Sequence, residues 1–278
     1  MTYSLSKLAI YPIKSIHGIT LQTSQVNEAG LLNDRRYMLV TPDGECVTGR
    51  EFPKLTLIKA EQLEDGAWLL SHPTLVTELT LSPKSLSGNY KNVVIWEESV
   101  QGEVALEEAN IWFSSILAEP VELVYFSDKS VRFTSRKPDS PVAFADGYPF
   151  LLTTQASLNE LNRTCPEDIK MAQFRPNLVI EGNKPFEEDS WKRIKIGEVE
   201  FENVKPCIRC IFTTLNPETA ERLKKGEPLK TLGKFRLLDK KGITFGINMI
   251  ALNTGIINVD DKVEILEYQE ADTYNDRR

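Results

Sequence analysis

Two cysteines three positions apart, Cys207 and Cys210 in the run Lys205-Pro-Cys-Ile-Arg-Cys-Ile-Phe-Thr-Thr214, are the sharpest chemical feature of this sequence. Such a pair can be half of a four-ligand zinc site. Here the other half is missing, because Cys46 and Cys165 stand alone and the only histidines are His17 and His72. It can be a thioredoxin-type redox pair, which needs a helix N-terminus after a strand. Here Pro206 precedes the pair and β-prone Ile211-Phe-Thr-Thr214 follows it. It can be one functional thiolate beside a structural cysteine. Arg209 adjoins Cys210 and could favour its ionised form, and a thiolate is a soft ligand for a soft metal centre. It can also be two ordinary buried cysteines, since free Cys behaves as a small hydrophobe. Spacing alone leaves all four readings open.

A second set is cationic and polar: Lys14-Ser15, Asp34-Arg35-Arg36, Arg50, and Arg175-Pro-Asn177. Any one of these alone reads as solvated surface charge. Together they could clamp an anion, because arginine forks match phosphate oxygens and a lysine adds a point charge. Pro12 and Pro176 would stiffen two of the segments. Other chemistries find little support. There is no Gly-rich nucleotide loop and no Gly-x-Ser-x-Gly. A Ser-His-Asp triad would have to use His17 or His72, and no carboxylate pair is marked out.

The elements that must position these residues read as mostly β with minor helices. Strands are expected at residues 1–10, in a hairpin at 39–48 turning on Asp43-Gly44, in a second pair at 57–70 turning on Gly66, and at 92–96. A helix is expected over Glu103–Leu117, with Val104, Ala105, Ala109, Trp112, Ile116 and Leu117 as its buried stripe. A Ser-, Arg-, Lys- and Pro-rich stretch at Ser127–Pro141 suggests a domain boundary. Beyond it come a helix at 155–162 and strands at 177–181, 193–201, 243–252 and 261–268. A helix at Pro217–Lys225 would have Asn216 as N-cap. Even strand spacing suggests closed or nearly closed barrels. If residues 206–212 are extended, Cys207 and Cys210 point to opposite faces.

The 278 residues suit one large domain or two packed ones, and the composition is that of a soluble globular protein. A net charge of −7 argues against nucleic acid as a partner. No apolar run is long enough to cross a membrane and no signal peptide is evident, so no membrane partner and a cytoplasmic location are expected. Four cysteines in this length do not form a disulfide framework.

In their order along the chain the motifs resemble the MOSC-domain family, in the branch with an N-terminal β-barrel extension. That branch includes the bacterial reductases of N-hydroxylated bases and the mitochondrial amidoxime-reducing component. The resemblance rests on Tyr11-Pro-Ile-Lys-Ser15 with Gly18, Asp34-Arg35, Val47-Thr-Gly-Arg50 with Pro53-Lys-Leu55, and Asp146 with Pro149-Phe150. It continues in Phe174-Arg-Pro-Asn177, Cys207-Ile-Arg-Cys210 leading into Thr213-Thr214 and Asn216-Pro217, and Phe245-Gly246. It implies an N-terminal β-rich domain over 1–126, packed on a C-terminal MOSC β-barrel over 127–270, and a polar tail at 271–278. It also implies a molybdenum cofactor with Cys210 as thiolate ligand and catalytic residue. Lys14, Ser15, Arg35, Arg50, Asp146, Arg175, Asn177 and Arg209 become the cofactor-binding set. The implied reaction is two-electron reduction of an N–O bond in a small N-hydroxylated substrate, leaving the amine or amidine. The ferredoxin domain carried by some bacterial members would need four clustered cysteines, and this sequence has no such pattern. No iron–sulfur cluster is therefore expected in the chain. Electrons would come from a flavin- or ferredoxin-type donor, acting in trans or as a missing C-terminal domain. Two other roles stay open: sulfur carriage by a Cys210 persulfide, and cofactor binding or storage without catalysis.

Overall fold

The structure, a computed structural model, describes residues 3–238 and 241–278. Seven strands close on themselves. Around the ring they run Phe150–Thr154, Leu178–Glu181, Tyr3–Ile10, Lys262–Tyr268, Trp191–Ile196, Val199–Ile208 and Gly242–Ala251, which pairs back to Phe150–Thr154. Closure leaves no unpaired edge along the ring. Every neighbour pair is antiparallel except Phe150–Thr154 with Leu178–Glu181, which is parallel. A parallel pair needs a crossover, and helix α1 of the barrel region, Gln155–Thr164, supplies it, with the Thr154 hydroxyl accepting from Ser157 N. Alternating apolar residues fill the interior, among them Leu8, Ile10, Leu152, Phe201, Ile247 and Met249. The ring is not built from one stretch of sequence. Its third strand is Tyr3–Ile10, about 140 positions before the next ring strand in the chain.

A five-stranded sheet packs beside the barrel, in the order Leu86–Ile95, Glu98–Ala105, Glu122–Tyr125, Tyr37–Val40, Cys46–Val47. The expected hairpin at 39–48 is its last pair, and Gly44 takes the left-handed turn conformation at φ +89°. The helix expected from Glu103 begins four residues later, at Glu107–Leu117. Glu103 and Val104 are already committed to strand pairing, Glu103 with both Tyr90 and Tyr125, and Val104 with Val124. Strand pairing, two-sided at Glu103, satisfies backbone groups that the first turn of a helix would leave unpaired. The helix buries Ala109, Trp112, Phe113, Ile116 and Leu117 and stops at Ala118, which is left-handed.

The expected helix over Pro217–Lys225 does not form. Asn216 does act locally, its Oδ1 accepting from Glu218 N at 2.9 Å, but Ala220 turns left-handed at φ +58°. The segment then folds back, with Leu223 N donating to Thr214 O and Asn216 N to Glu221 O. Arg222 is spent on tertiary bonds, to Thr214 Oγ1 at 3.1 Å and to Arg50 O at 2.9 Å. These contacts outweigh a modest helix preference. Residues 271–278 are mostly exposed, as a polar tail should be, but Tyr274 is seated. Its hydroxyl accepts from Arg236 and Thr244, and its ring lies 3.8 Å from the Arg236 guanidinium carbon. Among the described residues no helix is long and apolar enough to cross a membrane.

Candidate functional site

The first strand ends at Ile10, and the chain after it bonds across to the second sheet. Lys14 N donates to Tyr37 O and Arg35 N to Tyr11 O, each at 2.8 Å. On the barrel side Lys205 and Leu151 both pair with Asn248, and Leu152 pairs with Leu178. These ladders set Lys205, Asn248, Leu151 and the Arg175–Asn177 turn side by side. A cavity of about 260 Å³ opens between the two groups of segments. All nine residues that the resemblance assigned to the site line it: Lys14, Ser15, Arg35, Arg50, Asp146, Arg175, Asn177, Arg209 and Cys210. Arg36, of the same cationic set, instead turns to Tyr125 and Phe126.

Three of them, Ser15, Arg35 and Arg175, have left-handed backbones, at φ +75°, +46° and +57°. Such conformations cost a non-glycine residue roughly 1–2 kcal/mol and concentrate where geometry matters. The Arg35 and Arg175 guanidinium carbons lie 4.4 and 3.9 Å from the centre of the Tyr11 ring. The two arginines, 140 positions apart, thus share one aromatic platform, and Arg35 Nη2 donates to Arg175 O at 3.2 Å. Burial pulls the Arg175 guanidinium down to about 10, with Arg35 adding like-charge repulsion and the Tyr11 phenol partly offsetting it. It remains a cation at neutral pH.

Arg35 is held from behind. Its Nη1 donates to Asp34 Oδ2 at 2.6 Å and to Asn177 Oδ1 at 2.9 Å. Asn177 also donates to Ala9 O, and its Oδ1 accepts from Leu151 N. The Asn177 Oδ1 is thus committed to Arg35 and Leu151 and one of its two amide protons to Ala9, so Asn177 positions Arg35 from the cavity wall. Ser15 Oγ accepts from Gly49 N at 3.0 Å, leaving its proton free to donate. Gly49 has no room for a side chain, since a Cβ there would meet the Phe212 ring at 2.3 Å. Lys14 Nζ pairs with Asp146 at 2.5 Å and donates to Phe144 O. The Asp146 side chain opens to the cavity, and Lys14, then Arg50 and Arg35, hold its carboxyl well below the usual range.

Cys207 and Cys210 do not take opposite faces. The chain is extended only to Ile208, and a tight turn begins with Thr213 N donating to Cys210 O. Both cysteines line the cavity; Cys210 is exposed and Cys207 half-buried. Arg209 also departs from expectation. Its backbone N is fixed to Ile243 O at 2.7 Å, and its side chain runs back along the strand, where Nη1 donates to Cys207 Sγ at 2.8 Å and Nη2 to Phe174 O at 2.6 Å. The cation beside Cys210 in sequence thus serves the other sulfur. Arg209 Nε is buried without a partner.

Sequence reading missed Lys205 and Cys207 as parts of this wall, and Tyr11 as the ring on which two of its arginines stack. Tyr11 carried a signal, since it opens the run that contains Lys14 and Ser15. Lys205 carried none, because only the ladder register places it. In all, six cationic side chains (Lys14, Arg35, Arg50, Arg175, Lys205 and Arg209) line the cavity with a single carboxylate, Asp146, in a chain of net charge −7. Such a surface attracts anions.

Residues 2–120 match the MOSC N-terminal beta barrel domain family, and residues 139–264 match the MOSC domain family. The mitochondrial amidoxime-reducing component 1 of Danio rerio is 33% identical over 279 residues, covering 95% of this chain and 85% of that protein. The mitochondrial amidoxime reducing component 2 of Homo sapiens is 34% identical, covering 94% of this chain and 82% of that protein. Among solved structures, the YUAD protein of Bacillus subtilis aligns over 97% of this chain and 98% of its own, with a TM-score of 0.45 and 12% identity. Two consecutive domain matches and relatives above 30% identity over 94–95% of the chain establish that this chain belongs to the MOSC-domain family, in the branch with an N-terminal β-barrel domain that includes the mitochondrial amidoxime-reducing components.

Proposed function

We propose that this protein is a molybdenum-cofactor-dependent reductase of N-hydroxylated compounds, with Cys210 as the thiolate ligand to the metal. The observation that carries this reading is the pairing of an exposed thiol, Cys210, with a cavity wall of six cations and one carboxylate. The donor set fits such a cofactor. A soft sulfur ligand suits a soft metal, and the cations suit a phosphate-bearing organic part. The unpartnered Nε of Arg209 has a hydrogen-bond donor to spare. Relatives at 33–34% identity that are named for amidoxime reduction support the same substrate class.

When bound, the cofactor would supply the two-electron chemistry. The chain's own residues bind and orient. Arg35 and Arg175, stacked on Tyr11, would hold the anionic end, with Arg209 and Lys205 on the barrel side. Lys14 and Ser15 would donate from the opposite wall, with Asp146 keeping Lys14 in place. Asn177 would position Arg35 and offer its second amide proton. The overall change is removal of oxygen from nitrogen: the N–O bond breaks, two electrons and two protons enter, and the amine or amidine and water leave. The electrons would come from a separate flavin- or ferredoxin-type protein.

The test is metal analysis and turnover on protein made in a host that synthesises the cofactor. Stoichiometric molybdenum together with reduction of an N-hydroxylated substrate is expected. Molybdenum without turnover would point to storage, and a Cys210 persulfide without molybdenum would point to sulfur carriage; either outcome overturns the proposal.

A further inference from the structure

The hairpin joining strands Leu86–Ile95 and Glu98–Ala105 turns on Trp96 and Glu97. Trp96 has a left-handed backbone at φ +59°, a conformation that favours glycine and is unusual for a bulky aromatic residue. Nor is its indole there to fill a core. Trp68, Trp112 and Trp191 are buried, whereas Trp96 is 55% exposed. Its partner in space is Arg50, whose guanidinium carbon lies 4.6 Å from the ring centre and whose side chain lines the cavity. The hairpin is fastened to that cavity by a second path. Glu98, just past the turn, binds Arg132 Nε at 2.5 Å, and the same buried arginine donates to the carbonyls of Ala143, Ala145 and Asp146. The Trp96 tip is therefore held on both sides to cavity-wall residues, Arg50 and Asp146, and presents an uncovered aromatic surface one side chain away from the cavity. A large exposed ring in a costly conformation, anchored rather than free, is the arrangement expected of a recognition surface.

We propose that Trp96 is a specificity residue: an aromatic shelf at the cavity mouth, backed by Arg50, on which the flat ring of an aryl N-hydroxylated substrate stacks, so that aryl amidoximes are preferred over alkyl ones. This rests on the reductase reading for its substrate class. The shelf acts on substrate binding, and no step of the chemistry passes through it.

Trp96 is also a built-in reporter, because the other three tryptophans are buried. Cofactor-loaded protein without reductant is titrated with benzamidoxime and, separately, with acetamidoxime, and the fluorescence of Trp96→Phe is subtracted from that of the unchanged protein. Benzamidoxime should quench the difference signal saturably, and acetamidoxime should not. In turnover, Trp96→Ala and Trp96→Gly should raise KM for benzamidoxime roughly three- to tenfold, the range an aromatic pair is worth, with kcat and the acetamidoxime KM little changed. Trp96→Gly relieves the backbone and should melt no lower than the unchanged protein, so its KM effect would not reflect unfolding. An unquenched difference signal, or equal KM changes for the two substrates, overturns the shelf. If the loaded protein reduces neither compound, the reductase reading fails, and the fluorescence titration still decides whether Trp96 binds the aryl group.

Discussion

Cys207 and Cys210 share one cavity but have different neighbours, and their substitutions should separate accordingly. Cys210→Ala should abolish bound molybdenum and activity with little effect on folding, since that side chain is exposed and packs against little. Cys207→Ala should keep the metal and cost ~1 kcal/mol of stability, but it frees one prong of Arg209 and so should loosen cofactor retention a few-fold. Metal content, melting temperature and N-hydroxy reduction on both variants check this, and equal loss of metal in the two would favour a two-cysteine site instead. The two platform arginines should also differ. Arg175→Ala removes a cation that contacts Ile16 O and Tyr11, and should weaken cofactor retention by roughly 10- to 100-fold, the worth of a charge-assisted contact. Arg35→Ala strips the buried Asp34 carboxylate of its partner as well, and should cost about 3 kcal/mol of folding stability on top of the cofactor loss. Denaturant unfolding of the cofactor-free variants distinguishes them: similar midpoints would contradict the roles assigned. At this level much was legible in the sequence, because phosphate-type chemistry needs particular residue types near turns. What could not be read was direction. Arg209 sits next to Cys210 in the chain yet reaches Cys207, and Asn177 turns its amide oxygen to Arg35, because backbone register decides where a side chain points.

Glu188 shows how a short element can impose a pH dependence on the fold. It lies in the turn Glu187–Ser190, packed against the crossover helix, and is fully buried. Its carboxylate accepts from Ser157 Oγ at 2.7 Å and from Thr154 Oγ1 at 3.1 Å. Burial, reinforced by the neighbouring charge of Asp189, pushes its pKa from 4.5 up to about 7, against the pull of the Ser157 hydrogen bond. A carboxyl raised on folding favours the folded state while it stays protonated. Its contribution is complete below about 4.5 and is lost as pH rises through about 7. Glu188→Gln, neutral at every pH, should remove that dependence. Melting temperatures across pH 5–8 should fall for the unchanged protein relative to the variant, and parallel curves would refute the assignment. The same region shows where element reading stops. The crossover helix was expected over 155–162 and runs Gln155–Thr164, because helix preference there is local. The start of Glu107–Leu117 and the fate of residues 217–225 were not, because strand pairing at Glu103 and the tertiary bonds of Arg222 overrode local preference.

For the molecule as a whole the first expectation concerns electrons. The four cysteines carry no cluster or haem-attachment pattern, so the purified, loaded chain should not reduce N-hydroxylated substrate with NADH or NADPH alone. It should turn over once a flavin- or ferredoxin-type donor or an artificial reductant is added. Steady turnover on nicotinamide alone, followed by its absorbance, would contradict this. The mostly β character was readable from the alternation of apolar residues and the turn signals. The ring order was not, because no local signal says that Tyr3–Ile10 joins Leu178–Glu181 on one side and Lys262–Tyr268 on the other. That placement matters while the chain is being made. The first strand leaves the ribosome long before either of its barrel neighbours, and the last of them follows some 250 residues later. At about 5–20 residues per second the wait for the last partner is roughly 10–50 s, during which the first strand can pair with Ile19–Leu21 and later with Leu178–Glu181, but its edge at Tyr3 and Ser4 has no partner. Only when residues 262–268 have been released can the ring close, so the segment that begins the cofactor wall is among the first made and the last secured. Slowing synthesis near the end of the message should therefore lengthen its exposure to chaperones and proteases, whereas a circular permutant that placed residues 3–10 next to 262–268 in sequence would shorten it.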